Sequence, residues 1–164
     1  ICFMSIIQPT YPLPDIEPAL PNLPQLSKIH QDLLPFIHET PTLLLPIPDL
    51  NCSVLGKFEI WQPSGSFKIR AAIHRLQQLS KDELQRGVIA ATAGNHGLAL
   101  CLASQFIPTD VKLIMPVSTD TSRIKACQRQ GATIEFVDSI NDIFSQLQQT
   151  QHRENRTLVH PFNG

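Results

Sequence analysis

The sequence lacks the charge pattern of a protein that binds nucleic acid or membranes. Its 164 residues carry 13 Lys and Arg against 14 Asp and Glu, a formal net charge of -1, without a long basic run. This balance gives no electrostatic footprint for nucleic acid or an anionic lipid surface, so we expect neither as a partner. The apolar start, residues 1–7, is stopped by Pro9, has no basic leader and is too short to cross a bilayer.

The cysteines and histidines form no metal or disulfide pattern. No Cys-x-x-Cys or His-x-x-x-His is present, and the histidines do not cluster with carboxylates. We therefore expect neither a disulfide framework nor a metal site, and a reducing cytoplasm is the simplest location. The four cysteines lie far apart, at Cys2, Cys52, Cys101 and Cys127.

Two common enzyme signatures are also missing. A dinucleotide site needs Gly-x-Gly-x-x-Gly and an acidic residue at the end of the next strand. The turn that carries Gly94 and Gly97 lacks the remaining glycine, and the next strand ends in Met115 and Pro116. A Gly-x-Ser-x-Gly nucleophile elbow is absent as well.

The first fifty residues hold ten of the 14 prolines. Proline excludes regular helix and central strand from much of this region, so we interpret residues 1–49 as a proline-rich arm. A PxxP ligand for a partner is the alternative, although no basic residues flank it. Between the prolines, residues 27–37 predict a short amphipathic helix that Pro35 kinks or ends.

The remainder of the chain has an alternating pattern that predicts an α/β fold, an open parallel twisted sheet of βαβ units. Residues 54–61 predict a first strand, and Ser80 opens a capping box for a short helix that ends at Gly87. The helix over 95–106 is apolar almost all round and should be largely buried. Further strands are predicted over 88–91, 111–115, 133–137 and 157–160, and further helices over 120–130 and 139–151.

A lysine at a helix start is the first candidate for chemistry. Residues 63–70 form a turn rich in Pro, Gly and Ser that leads into a helical pattern, with Ser66 as the predicted cap and Lys68 in the first turn. A helix N-terminus prefers anions, so a lysine there gains nothing from the helix dipole. One use for such an amine is a Schiff base with a carbonyl cofactor. A solvated surface lysine is the alternative.

The second candidate is the turn over residues 92–97, at the end of a predicted parallel strand. Ligands bind at such turns in open α/β sheets, and amides at a helix N-terminus suit a carboxylate or phosphate. The side-chain amide of Asn95 adds a donor for a ligand oxygen. The alternative is an ordinary tight loop in which Asn95 caps the helix.

Together, two stretches resemble the tryptophan-synthase-β (fold type II) group of pyridoxal-phosphate enzymes, and most closely its threonine and serine dehydratases. They are residues 57–70 (Lys-Phe-Glu-Ile-Trp-Gln-Pro-Ser-Gly-Ser-Phe-Lys-Ile-Arg) and 87–97 (Gly-Val-Ile-Ala-Ala-Thr-Ala-Gly-Asn-His-Gly). The resemblance runs from about residue 40 to the last residue, and it does not cover the proline-rich beginning. It implies pyridoxal 5'-phosphate as cofactor and a small hydroxy amino acid as substrate.

The resemblance also implies roles for individual residues. Lys68 would form the internal aldimine and then remove the substrate Cα proton, with Phe67 close to the pyridine ring. Asn95 would hydrogen-bond the cofactor's ring oxygen. The substrate carboxylate would be bound by Thr92, Gly94, Asn95 and His96.

The same resemblance separates related activities. Ile69-Arg70 and Asn95-His96 are similar to the dehydratase branch, rather than to threonine synthases, and Ala93 stands where serine racemases commonly carry a serine. Alanine cannot exchange a proton, so racemisation is disfavoured. Two departures from the pattern, Thr92 for serine and Ala71 for glycine, concern substrate size. The alternatives are a threonine synthase, a diamino-acid ammonia-lyase, a serine racemase and a non-catalytic truncated paralogue.

The resemblance finally implies a domain map and a truncation. Residues 50–86 would begin the large domain, residues 87–158 would form the small domain, and residues 159–164 would start the return to the large domain. The family's phosphate-binding loop and the residue that faces the pyridine nitrogen lie beyond the last residue. We therefore expect a fragment with little activity of its own, from a parent enzyme that is a homodimer.

Overall fold

A computed structural model describes residues 21–47 and 52–161. Most of the predicted proline-rich arm, including the PxxP pattern that begins at Pro9, lies outside the described residues. The first element is helix α1, Leu23–Leu33, which ends before Pro35 as predicted. The helix begins four residues before the predicted start at residue 27, because Asn22 and Gln25 form a capping box there.

A two-stranded antiparallel hairpin follows α1. Strand β1, Thr42–Leu45, pairs with β2, Val54–Lys57, in a register that places Leu44 opposite Leu55. Strand β1 is not predicted by the sequence pattern, since it has only four residues between Pro41 and Pro46. The strand predicted over 54–61 was too long, since residues 59–61 form a turn of 3-10 helix.

Helix α2, Lys68–Gln77, has the candidate lysine as its first residue. The predicted cap at Ser66 was wrong: the N-cap is Phe67, which makes no side-chain capping bond. The Ser66 hydroxyl is buried and has no hydrogen-bond partner among the described residues. By contrast, helix α3, Lys81–Arg86, has the predicted capping box at Ser80 and ends at Gly87, whose φ is 80°.

Four parallel strands form the central sheet, in the order β5-β4-β3-β6. This arrangement confirms the predicted α/β class and the predicted strands from 88 onward, although the last one, predicted over 157–160, spans only Thr157–Leu158. The helix predicted over 139–151 is shifted, because a 3-10 turn over 140–142 precedes it. The strands are β3 (Val88–Ala91), β4 (Val111–Pro116), β5 (Thr133–Val137) and β6 (Thr157–Leu158), and the helices are α4 (Asn95–Phe106), α5 (Thr121–Arg129) and α6 (Ile143–Glu154).

The two central strands of the sheet, β3 and β4, are buried on both faces. Helices α2 and α4 pack against each other on one side, in a cluster that includes Ile73, Leu100 and Leu113, all fully buried. Ile89 and Ile114 face a second cluster that helix α6 completes. Helix α4 is largely buried, as its apolar sequence predicts. The core therefore fixes the starts of α2 and α4, the two helices that carry the candidate residues.

Within residues 21–47 and 52–161, no helix combines the length and the apolar character that a membrane crossing requires. The three described cysteines, Cys52, Cys101 and Cys127, are free thiols. No group of three or more potential metal ligands is found in the described part of the chain.

Candidate active site

The candidate residues meet at one edge of the parallel sheet. Strands β3 and β6 are neighbours and run in the same direction, so their carboxyl ends lie side by side. Strand β3 leads into the turn at Thr92, and β6 leads into residues 159–161. In open α/β sheets this edge is where ligands bind.

Lys68 reaches this edge from the first turn of α2. Its Nζ donates a hydrogen bond of 2.7 Å to the carbonyl oxygen of Pro161, 93 residues away in sequence. The same Nζ lies 5.3 Å from the centre of the Phe67 ring, which is 57% exposed. The structure thus brings Lys68 and Phe67 together beside the segment that follows β6.

Thr92 organises the turn between β3 and α4. Its Oγ1 accepts hydrogen bonds from the backbone amides of Gly94, at 3.1 Å, and Gly97, at 3.3 Å. These two amides would otherwise lack an acceptor at the start of the helix. Asn95 is the first helical residue and Gly94 is the N-cap, so the alternative in which Asn95 caps the helix is wrong.

Gly97 lets α4 approach the sheet closely. A Cβ at this position would lie 2.6 Å from Cγ2 of Thr92 and 3.2 Å from Cδ1 of Leu113. Such a contact is too close for a real side chain, so the helix start can sit against the strand ends only with glycine here. The close approach brings the first-turn amides of α4 to the edge where Lys68 lies.

The Asn95 side chain lies on the exposed side of the turn. Its Oδ1 accepts a hydrogen bond of 2.9 Å from Nη1 of Arg123, in the first turn of α5. The sequence pattern predicts no role for Arg123. Only the helix pairing, in which α4 packs beside α5, brings residues 28 positions apart into contact.

His96 is buried, with 6% of its surface exposed. Its Nε2 lies 3.2 Å from the carbonyl oxygen of Val159. A carbonyl oxygen can only accept, so Nε2 carries the proton and Nδ1 carries the lone pair. Burial lowers the pKa of His96, and the charges of Lys68 and His160 lower it further against the raising effect of the Val159 bond.

This tautomer limits what the His96 side chain can do. Its one donor is engaged by Val159, and Nδ1 is buried with no partner among the described residues. A group that has only a lone pair cannot donate to a carboxylate. His96 can therefore donate to an anion through its backbone amide, in the first turn of α4, but not through its side chain.

A small cavity of about 140 Å³ lies beside this segment. The His160 ring, which stacks on Phe144 with ring centres 6.5 Å apart, lines it. Burial, followed by the charge of Lys68, lowers the pKa of His160. Ala71, the departure from the dehydratase pattern noted above, adds its methyl group to the wall. The other lining residues are His74, Arg75, His96, Val159 and Pro161.

A polar cluster around Glu59 supports the turn that presents Lys68. The Glu59 carboxylate accepts two hydrogen bonds from Arg70, at 2.7 and 2.8 Å, and one from Thr40 at 2.6 Å. The bonds from Arg70 are the main reason that the pKa of Glu59 is lowered to about 2. Gln62 exchanges hydrogen bonds with the backbone of His38, at 3.0 and 2.8 Å. These contacts hold both sides of residues 63–67.

In the sequence, Glu59 and Arg70 stand out only as members of the motif over residues 57–70. A carboxylate eleven positions before an arginine is too common a pattern to predict an ion pair. Arg70 follows Lys68 in the first turn of α2, so the ion pair anchors the helix start that carries the candidate amine.

The chain is similar in sequence to known proteins over most of its length. The family model described as pyridoxal-phosphate dependent enzyme matches residues 33–164. Phenylserine dehydratase from Ralstonia pickettii is 30% identical over 150 residues, which cover 89% of this chain and 45% of that protein. The chloroplastic biosynthetic threonine dehydratase 1 of Solanum lycopersicum is 36% identical over 129 residues, 77% of this chain and 21% of that protein. The chain thus spans less than half the length of these relatives.

Solved structures have the same architecture. Maize serine racemase superposes with a TM-score of 0.76 at 25% identity, over 85% of this chain and 43% of that chain. Serine racemase from Dictyostelium discoideum gives a TM-score of 0.74 at 29% identity, over 85% of this chain and 46% of that one. These likenesses confirm the predicted fold class, the fold type II architecture.

Proposed function

The chain belongs to the pyridoxal-phosphate-dependent enzyme family, and we propose that it is the lysine-bearing part of a hydroxy-amino-acid dehydratase. Pyridoxal phosphate is the cofactor of this family, as the sequence resemblance had predicted. The observation that carries the proposal is that Lys68 and His96, which belongs to the turn over 92–97, both bond to the segment after β6, at Pro161 and Val159. Its proposed substrate is L-threonine or L-serine, released as a 2-oxo acid and ammonia.

The described residues fit the aldehyde-bearing end of this cofactor. Lys68 supplies a primary amine at a helix start, and Phe67 supplies an exposed aromatic ring beside that amine. Asn95 supplies a side-chain amide for the ring oxygen. When bound, the cofactor draws electrons away from the substrate α-carbon, and the protein provides orientation and proton transfer.

Lys68 Nζ is proposed to hold the cofactor and then to accept the substrate Cα proton. The carbonyl oxygen of Pro161 orients this nitrogen, at 2.7 Å. The Glu59–Arg70 ion pair holds the turn just before it. The lysine is therefore held at its nitrogen and at the start of its helix. A base held in this way loses little conformational freedom when the substrate binds, which favours proton transfer.

The substrate carboxylate is proposed to bind the first turn of α4. Backbone amides at a helix N-terminus and the positive end of the helix dipole stabilise an anion. Thr92 already accepts from Gly94 and Gly97, so its hydroxyl shapes the turn and leaves the amides of Asn95 and His96 for the ligand. The His96 side chain then acts as a brace between α4 and Val159.

Loss of the substrate β-hydroxyl as water distinguishes the proposed dehydratase from its relatives. Serine racemases are among the similar structures, but Ala93 offers no exchangeable proton at the exposed position before Gly94. A threonine synthase or a diamino-acid ammonia-lyase would use the same lysine and carboxylate turn.

We propose that the parent enzyme is a cytoplasmic homodimer, and that the 164 residues alone bind cofactor weakly with little turnover.

The test is a trapping experiment on the purified chain. The chain is incubated with excess pyridoxal phosphate, reduced with borohydride, digested and analysed by mass spectrometry. Lys68→Ala is compared with Lys81→Ala, because Lys81 is also the first residue of a helix, but that helix leads into the amino end of β3 rather than following its carboxyl end. We expect an adduct on Lys68 that Lys68→Ala abolishes and Lys81→Ala leaves intact.

Activity is measured on the same samples by following 2-oxo acid release from L-threonine and L-serine. Trapping on Lys68 with little turnover supports both the lysine assignment and the low activity of the chain alone. Adducts spread over several surface lysines, with no preference for Lys68, would overturn the lysine assignment. Rapid turnover by the chain alone would overturn the low-activity proposal.

A further inference from the structure

Arg123 lies near the N-termini of two helices and beside one carboxylate, that of Asp120. It lies in the first turn of α5, where Asp120 caps the helix by accepting from the amides of Ser122, at 2.9 Å, and Arg123, at 3.3 Å. Its guanidinium lies at the first residue of α4, Asn95. Both helix N-termini carry partial positive charge, which repels a cation. The Asp120 carboxylate offsets this repulsion, and the hydrogen bond to Asn95 directs the guanidinium toward α4.

The contact of Arg123 with the turn is close and directional. Nη1 donates to Oδ1 of Asn95 at 2.9 Å, the length of a good charge-assisted hydrogen bond. The same Nη1 would lie only 3.5 Å from a Cβ placed on Gly94. The guanidinium therefore lies against the backbone of the turn as well as against the Asn95 amide.

This bond determines which way the Asn95 amide faces. An asparagine side chain has one acceptor atom, Oδ1, and one donor atom, Nδ2, on opposite sides of Cγ. If the amide rotated by half a turn, Nδ2 would meet the guanidinium, and two donors would face each other. Arg123 therefore keeps Oδ1 toward α5 and directs Nδ2 away from α5.

We propose that Arg123 is a positioning residue that holds the Nδ2 donor of Asn95 toward the ring oxygen of the cofactor. This inference rests on the proposed function, which gives Asn95 that partner. The guanidinium also polarises the amide, which strengthens Nδ2–H as a donor. Arg123 itself need not touch cofactor or substrate to act in this way.

The experiment combines single and double variants of the 164-residue chain. Arg123→Met removes the donor and the charge, Arg123→Lys keeps both, and Arg129→Met is the matched control at the far end of the same helix. Binding of pyridoxal phosphate is followed by absorbance, with the pH dependence of the lysine-linked cofactor's visible band as a second readout.

Arg123→Met is expected to weaken cofactor binding about threefold to tenfold, the loss of roughly one hydrogen bond. It should also shift the pH midpoint of the visible band, because a donor to the ring oxygen stabilises that oxygen as an anion. Arg123→Lys should restore part of both effects, and Arg129→Met should change neither. In an Asn95→Ala background, Arg123→Met should have no further effect, because the group that it positions is gone.

The proposal would be overturned if Arg123→Met weakened cofactor binding and shifted the pH midpoint as strongly in the Asn95→Ala background as in the wild-type chain. It would also be overturned if Arg123→Met alone left both quantities unchanged. A separate measurement without cofactor uses NMR relaxation of the Asn95 side-chain amide. We expect this amide to be rigid in the wild-type chain and mobile in Arg123→Met, and equal mobility in the two would overturn the positioning role. Absence of any Lys68 adduct would instead overturn the proposed function, and with it the cofactor as the partner of Nδ2.

Discussion

The sheet and the hairpin of this chain bury their apolar residues to very different extents. In the four-stranded sheet, Ile89 and Ile114 are fully buried beneath helix α6 of the same chain. In the hairpin and the turn that follows, Leu44 is 65% exposed, Leu55 68% and Trp61 60%. The sheet therefore completes a core from its own residues, whereas the described residues leave the hairpin surface uncovered. Lys68 lies between the two regions, at the start of a helix that packs on the sheet side.

The largest expected difference between the regions is in the free energy of unfolding. Leu113→Ala removes a fully buried side chain and should destabilise the chain by about 2–5 kcal/mol. Leu55→Ala, the same substitution in the hairpin, should change stability by less than about 0.5 kcal/mol because its side chain is mostly exposed. Urea denaturation followed by circular dichroism measures both. Equal costs would show that the hairpin is buried in solution.

A second substitution tests the close approach of α4 to the sheet. Gly97→Ala places a Cβ 2.6 Å from Cγ2 of Thr92 and should cost about 1–3 kcal/mol. Gly94→Ala is the matched control, since the nearest atom to its new Cβ would be Nη1 of Arg123 at 3.5 Å. The same urea titration measures the two variants. A tolerated Gly97→Ala would mean that the helix start can move away from the strand ends.

The sheet was more predictable from sequence than the hairpin, for a physical reason. A fully buried parallel strand has a continuous apolar run, and Gly87 and the Ser80 capping box mark boundaries that local chemistry alone determines. Strand β1 has only four residues between two prolines, and its pairing with β2 depends on contacts distant in sequence. The N-cap of α2 is Phe67 rather than the predicted Ser66, and Ser66 is buried in the fold, which its local sequence does not indicate.

The residues of the candidate site also differ in how far the sequence indicates them. Lys68, Asn95 and the turn at Thr92 could be singled out because each stands at a helix start in a recognisable motif. The structure adds Pro161 and Arg123, which bind Lys68 and Asn95 respectively. Neither partner has a local signal, because a backbone carbonyl and an exposed arginine acquire these roles only from the strand order and the packing of α4 against α5. The roles of Lys68 and Asn95 themselves remain predictions.

The Glu59–Arg70 pair links the hairpin side to α2, so acid should weaken this link. The pKa of Glu59 is about 2 in the folded chain against an ordinary 4.5, so its stabilising contribution is present above about pH 4.5 and is lost between there and about pH 2. Glu59→Gln should lower stability by about 1 kcal/mol at neutral pH, since the pair is partly exposed to solvent. Denaturation at several pH values measures the difference, which should shrink toward acid. A difference independent of pH would contradict the ion pair.

The smallest expected effect comes from His96, which braces α4 against Val159 on the sheet side. Its pKa lies below the ordinary 6.5, mainly because of burial, so the unfolded chain binds the extra proton first as pH falls. This contribution to stability is complete above pH 6.5 and declines below it. Glutamine can donate to the same carbonyl without titrating, so His96→Gln should reduce the loss of stability between about pH 7.5 and about pH 5.5 by a few tenths of a kcal/mol. Urea midpoints at the two pH values measure it, and an unchanged loss would mean that His96 is protonated as readily in the folded chain as in the unfolded one.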